Sequence, residues 1–212
     1  MQHFVINCPR MKYKILFFDC DGVLIKNALL FRDVLIDDYS ILPETTKPFF
    51  TGSFRQCSTG QADLKEELVK VIDDWGWKGW KGTVDELIHV WFTNGTKIEP
   101  EVTDYIKSLR ALGYRCFLTT DQELYRGEHL KELLGNGKVF EDVFYSGEVG
   151  HSKKTEPFWK EVFSRLEKIG LSHEREETAF IDDDTHKVEA VSKLGINTLL
   201  YTDLNSLKDF LN

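Results

Sequence analysis

No apolar run in this 212-residue chain approaches the ~18–20 residues a helix needs to cross a bilayer, so no membrane is expected as a partner. Basic residues are in the minority. The chain has 27 Lys and Arg against 35 Asp and Glu, a net charge of −8, which removes the positive surface a general nucleic-acid binder needs. Cysteine is sparse, and Cys8, Cys20, Cys57 and Cys116 form no CxxC pair. Neither a zinc site nor a thioredoxin-like motif is therefore expected, and four reduced thiols are. The six histidines have no metal-ligand spacing. Internal repeats and low-complexity tracts are absent. Residues 1–10 carry no continuous apolar segment and no basic leader, which makes the cytoplasm the expected compartment. Met11 stands just ahead of the first clear strand, so 1–10 reads as an N-terminal extension outside the core.

The residues present read as one α/β unit with an insertion, the most that this length accommodates. Tyr13 to Phe18 is an apolar run that stops abruptly at Asp19-Cys20-Asp21-Gly22, the pattern of a buried strand opening into a loop. From there to Pro100 the spacing of Leu, Val and Ile is helical, over 28–39 and 62–75, with a loop over 75–82 between Trp75 and Gly82. Thr83 is the expected N-cap of a further helix through Phe92, closed by Asn94-Gly95. After Pro100 helices and strands alternate: helices at 101–112, 125–134, 157–169 and 187–194, strands at 114–119, 143–146, 178–181 and 197–201, then a terminal helix. Such alternation predicts a parallel sheet covered by helices on both faces. Ligands of such sheets bind beyond the carboxyl ends of the strands. The expected division is a core of 11–25 and 98–212 with an all-helical insertion at 26–97.

Every strand exit is polar. The first ends in Asp19 and Asp21, the second in Thr119-Thr120, and the fourth in Asp182-Asp183-Asp184, while Lys153-Lys154 follows the third. Carboxylates, a hydroxyl and an ammonium thus converge on one edge. A calcium loop is excluded, because an EF-hand starting at Asp19 needs glycine where Leu24 stands.

These segments are similar, in order and spacing, to the four motifs of the haloacid dehalogenase superfamily. Phe17 to Leu24 resembles the first, Leu118 to Gln122 the second and Gly150 to Lys153 the third. Phe180 to Asp183, with Val188-Glu189-Ala190 and Gly195, resembles the fourth, so the likeness runs from about Lys14 to Tyr201. It implies a Rossmann-like core with a helical cap of the first type at 26–97. It also implies a phosphatase-type member acting through an aspartyl-phosphate on Asp19. By the family pattern Asp19 and Asp183 supply carboxylates to Mg2+ and Asp21 its backbone carbonyl, with Asp182 a ligand or the neighbour of one. Asp21 is the general acid and base, Thr120 rather than Thr119 donates to a phosphoryl oxygen, and Lys153 rather than Lys154 holds charge on nucleophile and phosphate. Gly22 lets the backbone turn closely around the phosphate.

The charges explain the need for a cation. A phosphate ~4 Å from each carboxylate is opposed by about 4 kcal/mol per pair at an effective dielectric near 20. A hard divalent ion held by oxygens removes that cost. Two positions depart from the family pattern. Asp121 stands where Asn is usual, adding negative charge beside Thr120 and the substrate. Lys154 replaces a usual Pro, which is expected to leave the loop less rigid. Family members that attack carbon lack an acid two residues after the nucleophile, so Asp21 favours phosphoryl chemistry on a small phosphorylated metabolite. The alternatives are a phosphomutase of a sugar phosphate and a phosphate-binding protein with little turnover. A receiver-type signalling domain fits poorly, since its phosphorylated Asp follows a middle strand. Cys20 is expected to fill a tight loop, and Phe49, Phe50, Phe54, Trp75, Trp77, Trp80 and Trp91 mainly the interior of the insertion. Arg55 and His89 are candidate substrate contacts.

Overall fold

The computed structural model describes residues 12–25, 31–77, 82–171 and 174–212. The expected extension 1–10, with Cys8, lies outside the described residues, as do 26–30 and Trp80. The strands are β1 (Ile15–Phe18), β2 (Arg115–Thr120), β3 (Val143–Tyr145), β4 (Thr178–Asp182) and β5 (Asn197–Leu200). They form one parallel sheet in the order β3–β2–β1–β4–β5. β1 is buried at all four positions because helices cover both faces of the sheet. Leu16 and Phe18 enter one cluster with Val102, Ile106, Leu130 and Leu207. Ile15 and Phe17 enter another with Phe158, Trp159, Val162 and Phe180. Period-two alternation thus sends neighbouring side chains into two different cores.

The helices are α1 (Phe31–Tyr39), α2 (Pro43–Thr51), α3 (Phe54–Cys57), α4 (Leu64–Val69) and α5 (Val84–Asn94) in the insertion. The sheet is flanked by α6 (Pro100–Ala111), α7 (Leu124–Leu134), α8 (Ser146–Val149), α9 (Glu156–Lys168), α10 (Thr185–Ser192) and α11 (Leu204–Leu211). The chain leaves β1, builds outward through β2 and β3, then returns to the other side of β1 for β4 and β5. Connections diverge between β1 and β4, which opens a crevice at their carboxyl ends.

Within the insertion Thr83 caps α5 as expected, its hydroxyl accepting from Glu86 N at 3.2 Å while the Glu86 carboxylate accepts from Thr83 N at 3.3 Å. One expected element is corrected, and two helices without a counterpart in the sequence reading are present. The helix expected over 62–75 stops at Val69 and gives way to turns. Residues 43–57, which show no helical spacing, form α2 and α3. Pro43 occupies the first turn of α2, where a missing N–H costs nothing, but Pro48 sits inside it. Packing outweighs that break: Phe49 meets Trp75 at 5.4 Å between ring centroids, and Phe50 meets Trp91 at 5.8 Å. Phe49, Trp75, Trp77 and Trp91 are buried in a cluster built from the insertion, to which the flanking helices contribute one partly buried ring, Tyr125.

Candidate active site at the strand ends

Three adjacent strands aim their last residues at the crevice. Asp19 follows β1, Thr120 ends β2 and Asp182 ends β4. Lys153 arrives on the loop after α8, with no exposed surface. Its Nζ forms an ion pair with Asp19 Oδ1, another with Asp182 Oδ2 at 2.8 Å, and donates to Thr119 O at 3.4 Å. One ammonium therefore binds the ends of three neighbouring strands. Lys154 is instead exposed, 3.8 Å from Asp184.

Burial is the largest influence on Asp19 and pushes its carboxyl up, yet Lys153 and Lys187 together outweigh it and hold the group below the usual carboxylate range. For Asp182, burial and then the charge on Asp19 win, so its carboxyl is raised. Asp183 is raised by the same two causes in the same order. Burial works against the Lys153 ammonium, but Asp19, Asp182 and Asp121 more than offset it and the group is held above its ordinary value. Among the described residues, Asp19, Asp182 and Asp183 are the carboxylates whose oxygens lie within 4.8 Å of one another. This all-oxygen donor set suits a hard divalent cation. Gly22 supports the same reading. At φ +85° it passes so close to Asp183 that a Cβ there would lie 2.0 Å from Asp183 Oδ2. The glycine is thus required by a carboxylate pressed against the backbone.

The run Asp182-Asp183-Asp184 divides its work. Asp182 is buried on Lys153, and its Oδ1 accepts from Asp184 N at 2.8 Å. Asp183 is exposed toward the crevice, and Asp184 caps α10 by accepting from His186 N at 2.8 Å. The Thr119 hydroxyl donates to Phe18 O at 3.5 Å within the sheet, and Thr120 is buried at the strand end.

Asp21 stands apart from the carboxylate cluster. Instead Arg126 Nη2 donates to its Oδ1 at 2.8 Å and Gln122 Nε2 to its Oδ2 at 2.7 Å. Asp121 differs from expectation, because its charge is spent on the loop that carries Lys153. It accepts from Ser152 Oγ at 3.0 Å and from Lys153 N at 2.9 Å. Trp159 Nε1 adds a bond to Lys153 O at 2.7 Å, and Thr155 Oγ1 one to Ser152 O at 2.7 Å. These bonds brace the loop although it lacks the usual proline. Cys20 is fully buried, and burial followed by the charge on Asp21 pushes its thiol well above the ordinary value, in keeping with a packing role in the tight loop. Arg55 and His89 are exposed on α3 and α5.

Sequence reading missed Lys187. Its Nζ lies 3.4 Å from Asp19 Oδ2 and 3.9 Å from Asp182 Oδ1. A signal existed, since a lysine in the first turn of α10 opposes the helix dipole and needs another reason to be there. Three carboxylates against two ammonium groups leave this cluster one net negative charge.

A family model for haloacid dehalogenase-like hydrolases matches residues 13–195. The chain belongs to this family. Solved structures of haloacid dehalogenase-like (HAD) proteins share its fold at low identity. A predicted HAD-like family hydrolase of Porphyromonas gingivalis superposes with a TM-score of 0.70 at 23% identity, over 95% of this chain and 98% of the other. A HAD family enzyme of Bacteroides thetaiotaomicron, solved as a magnesium complex, gives 0.70 at 22% identity over 93% and 98%. A 2-haloacid dehalogenase of Pseudomonas syringae pv. Tomato gives 0.59 at 16% identity over 89% and 86%. Among curated proteins, none matches this sequence. The same fold is thus shared with HAD family hydrolases and with a protein named a 2-haloacid dehalogenase, so the fold by itself does not choose the reaction. No helix of the described residues is long and apolar enough to cross a membrane.

Proposed function

We propose that this HAD hydrolase is a magnesium-dependent phosphatase of a small phosphorylated metabolite. The observation that carries the reading is Asp19: a buried carboxylate, kept ionised by Lys153 and Lys187, beside Asp182 and Asp183 and two residues before a second acid. A HAD family enzyme of Bacteroides thetaiotaomicron has been crystallised with magnesium and inorganic phosphate, in keeping with this reading. Asp19, Asp183, the carbonyl of Asp21 and, directly or as a neighbour, Asp182 would hold the cation. When bound, the cation neutralises carboxylate charge and polarises phosphoryl oxygens.

The protein's own groups do the rest. Asp19 attacks phosphorus, forming an O–P bond to its carboxylate as the bond to the leaving oxygen breaks. Asp21 gives its proton to that oxygen, then takes one from the water that attacks the aspartyl-phosphate, releasing inorganic phosphate and free Asp19. Lys153 stabilises charge on the nucleophile and the transferring group, and the Thr120 hydroxyl donates to a phosphoryl oxygen. The helical insertion serves as a cap over the strand ends, which suits a small substrate enclosed away from bulk water.

Hydrolysis of 4-nitrophenyl phosphate with and without magnesium tests the proposal. Wild-type protein is expected to turn it over only with the metal, and Asp19→Asn to lose at least about a thousandfold. Metal-dependent hydrolysis retained by Asp19→Asn would overturn the assignment.

A further inference from the structure

The first turn of α7 touches both the proposed acid and the insertion. Gln122 and Arg126, four residues apart, each hold one oxygen of Asp21, at 2.7 and 2.8 Å. Between them the Glu123 carboxylate accepts from Tyr125 N and Arg126 N, both at 2.7 Å, which fixes the turn. Tyr125 then reaches the insertion, its hydroxyl donating to Asp63 at 2.7 Å. Arg126 reaches it as well. The same Nη2 that binds Asp21 donates to Gly95 O at 3.0 Å, at the residue that closes α5 and begins the returning linker. Arg126 is 8% exposed, and its Nε is buried without an acceptor.

That arrangement is poor for stability alone. Nη2 spends both of its N–H groups on acceptors from separate parts of the chain, while the buried Nε–H of the same guanidinium goes unused. We infer that Arg126 is a positioning residue that ties the Asp21 carboxylate to the returning linker at Gly95, so that the aim of the acid depends on where the insertion sits. Hydrogen bonds fail beyond about 3.5 Å, so a shift of roughly half an ångström at Gly95 is enough to release one side of the bridge. Asp63, midway along the insertion at the start of α4, and Gly95, near its end, both report to one helical turn, and Arg126 relays that report to Asp21. The acid role rests on the proposed phosphatase activity; the link from Asp21 to Gly95 does not.

Two measurements on the 212-residue chain test it. The first compares glycerol 2-phosphate, whose alkoxide must be protonated to leave, with 4-nitrophenyl phosphate, whose phenolate leaves unaided. Arg126→Ala is expected to lose at least about tenfold more kcat on the former, and in an Asp21→Asn background to add less than about twofold. Arg126→Lys keeps the charge but not the fork, so it falls between and also covers the case in which the alanine variant does not fold. Equal losses on both substrates, or full additivity with Asp21→Asn, overturn the inference. The second is hydrogen exchange of residues 95–99, which needs no activity. Arg126→Ala and Asp21→Ala are each expected to speed exchange there about tenfold, and the double variant no further. Unchanged exchange, or additive loosening, overturns the link even if the protein proves not to be a phosphatase.

Discussion

Replacing Lys153 by Met removes one charge while keeping the side chain's length and apolar stem, and it puts the electrostatic account to a test that involves neither substrate nor metal. The ammonium is fully buried, paired with Asp19 and 2.8 Å from Asp182. Without it, two buried carboxylates whose oxygens lie within 4.8 Å face each other with only Lys187, at 3.4 and 3.9 Å, as counter-charge. At that separation and an effective dielectric of ~20, their repulsion is about 3.5 kcal/mol. Breaking a buried ion pair costs ~3–5 kcal/mol by mutational experience, which is the same penalty seen from the other side. The variant should therefore be about 3–5 kcal/mol less stable at pH 7 in the presence of a chelator. The pH dependence has a definite sign. In the variant both carboxyls titrate above their unfolded value near 3.9, so the penalty is complete above the folded values and fades as pH falls toward ~4. Lys153 itself is raised, so its contribution is constant everywhere below ~10 and adds no slope in this window. Urea unfolding followed by tryptophan fluorescence, with Trp159 bonded to Lys153 O, reads the difference at pH 7 and pH 5. About half the deficit should be recovered at pH 5. A deficit below about 1 kcal/mol, or one equal at both pH values, would refute the reasoning.

Two further substitutions probe the cation site. Lys187→Met removes a charge that a divalent ion must face. At ~5 Å in a water-like dielectric that repulsion is about 1.7 kcal/mol, so magnesium should bind at least about tenfold tighter by calorimetry, with inorganic phosphate weaker; an unchanged magnesium affinity would contradict the placement of Lys187. Gly22→Ala forces a Cβ into the Asp183 carboxylate at a left-handed backbone position. It should cost about 1–2 kcal/mol in urea unfolding and weaken magnesium binding, and full retention of both would show that the close approach is not needed.

The strands and their polar exits were legible because short apolar runs cut off by aspartate, threonine or a lysine-bearing loop combine burial and chemistry in a few adjacent residues. The helices α2 and α3 were not, since Pro43 and Pro48 weaken the local helix signal while the compensating aromatic contacts come from Trp75 and Trp91, distant in sequence. Lys187 and Arg126 were passed over for a related reason. Each lies on a helix that looks ordinary by spacing; the charge opposed to the α10 dipole marks Lys187 as unusual, but the partners Asp19 and Asp21 come into view only with the fold. Asp121 was read as adding charge beside Thr120, and its bonds to Ser152 and Lys153 were not foreseen, because spacing along a strand does not tell which neighbouring loop will claim a carboxylate.

The aromatic interior of the insertion and the two cores of the sheet are separate apolar clusters, joined at their seam by hydrogen bonds from Arg126, Tyr125 and Ser146. Substitutions can therefore accumulate inside the roof without disturbing the foundations on which the reacting groups stand. On the proposed reading of the insertion as a cap, a lineage built this way is free to drift toward new molecules one ring at a time while inheriting its reaction unaltered, provided the few polar fasteners along the seam survive.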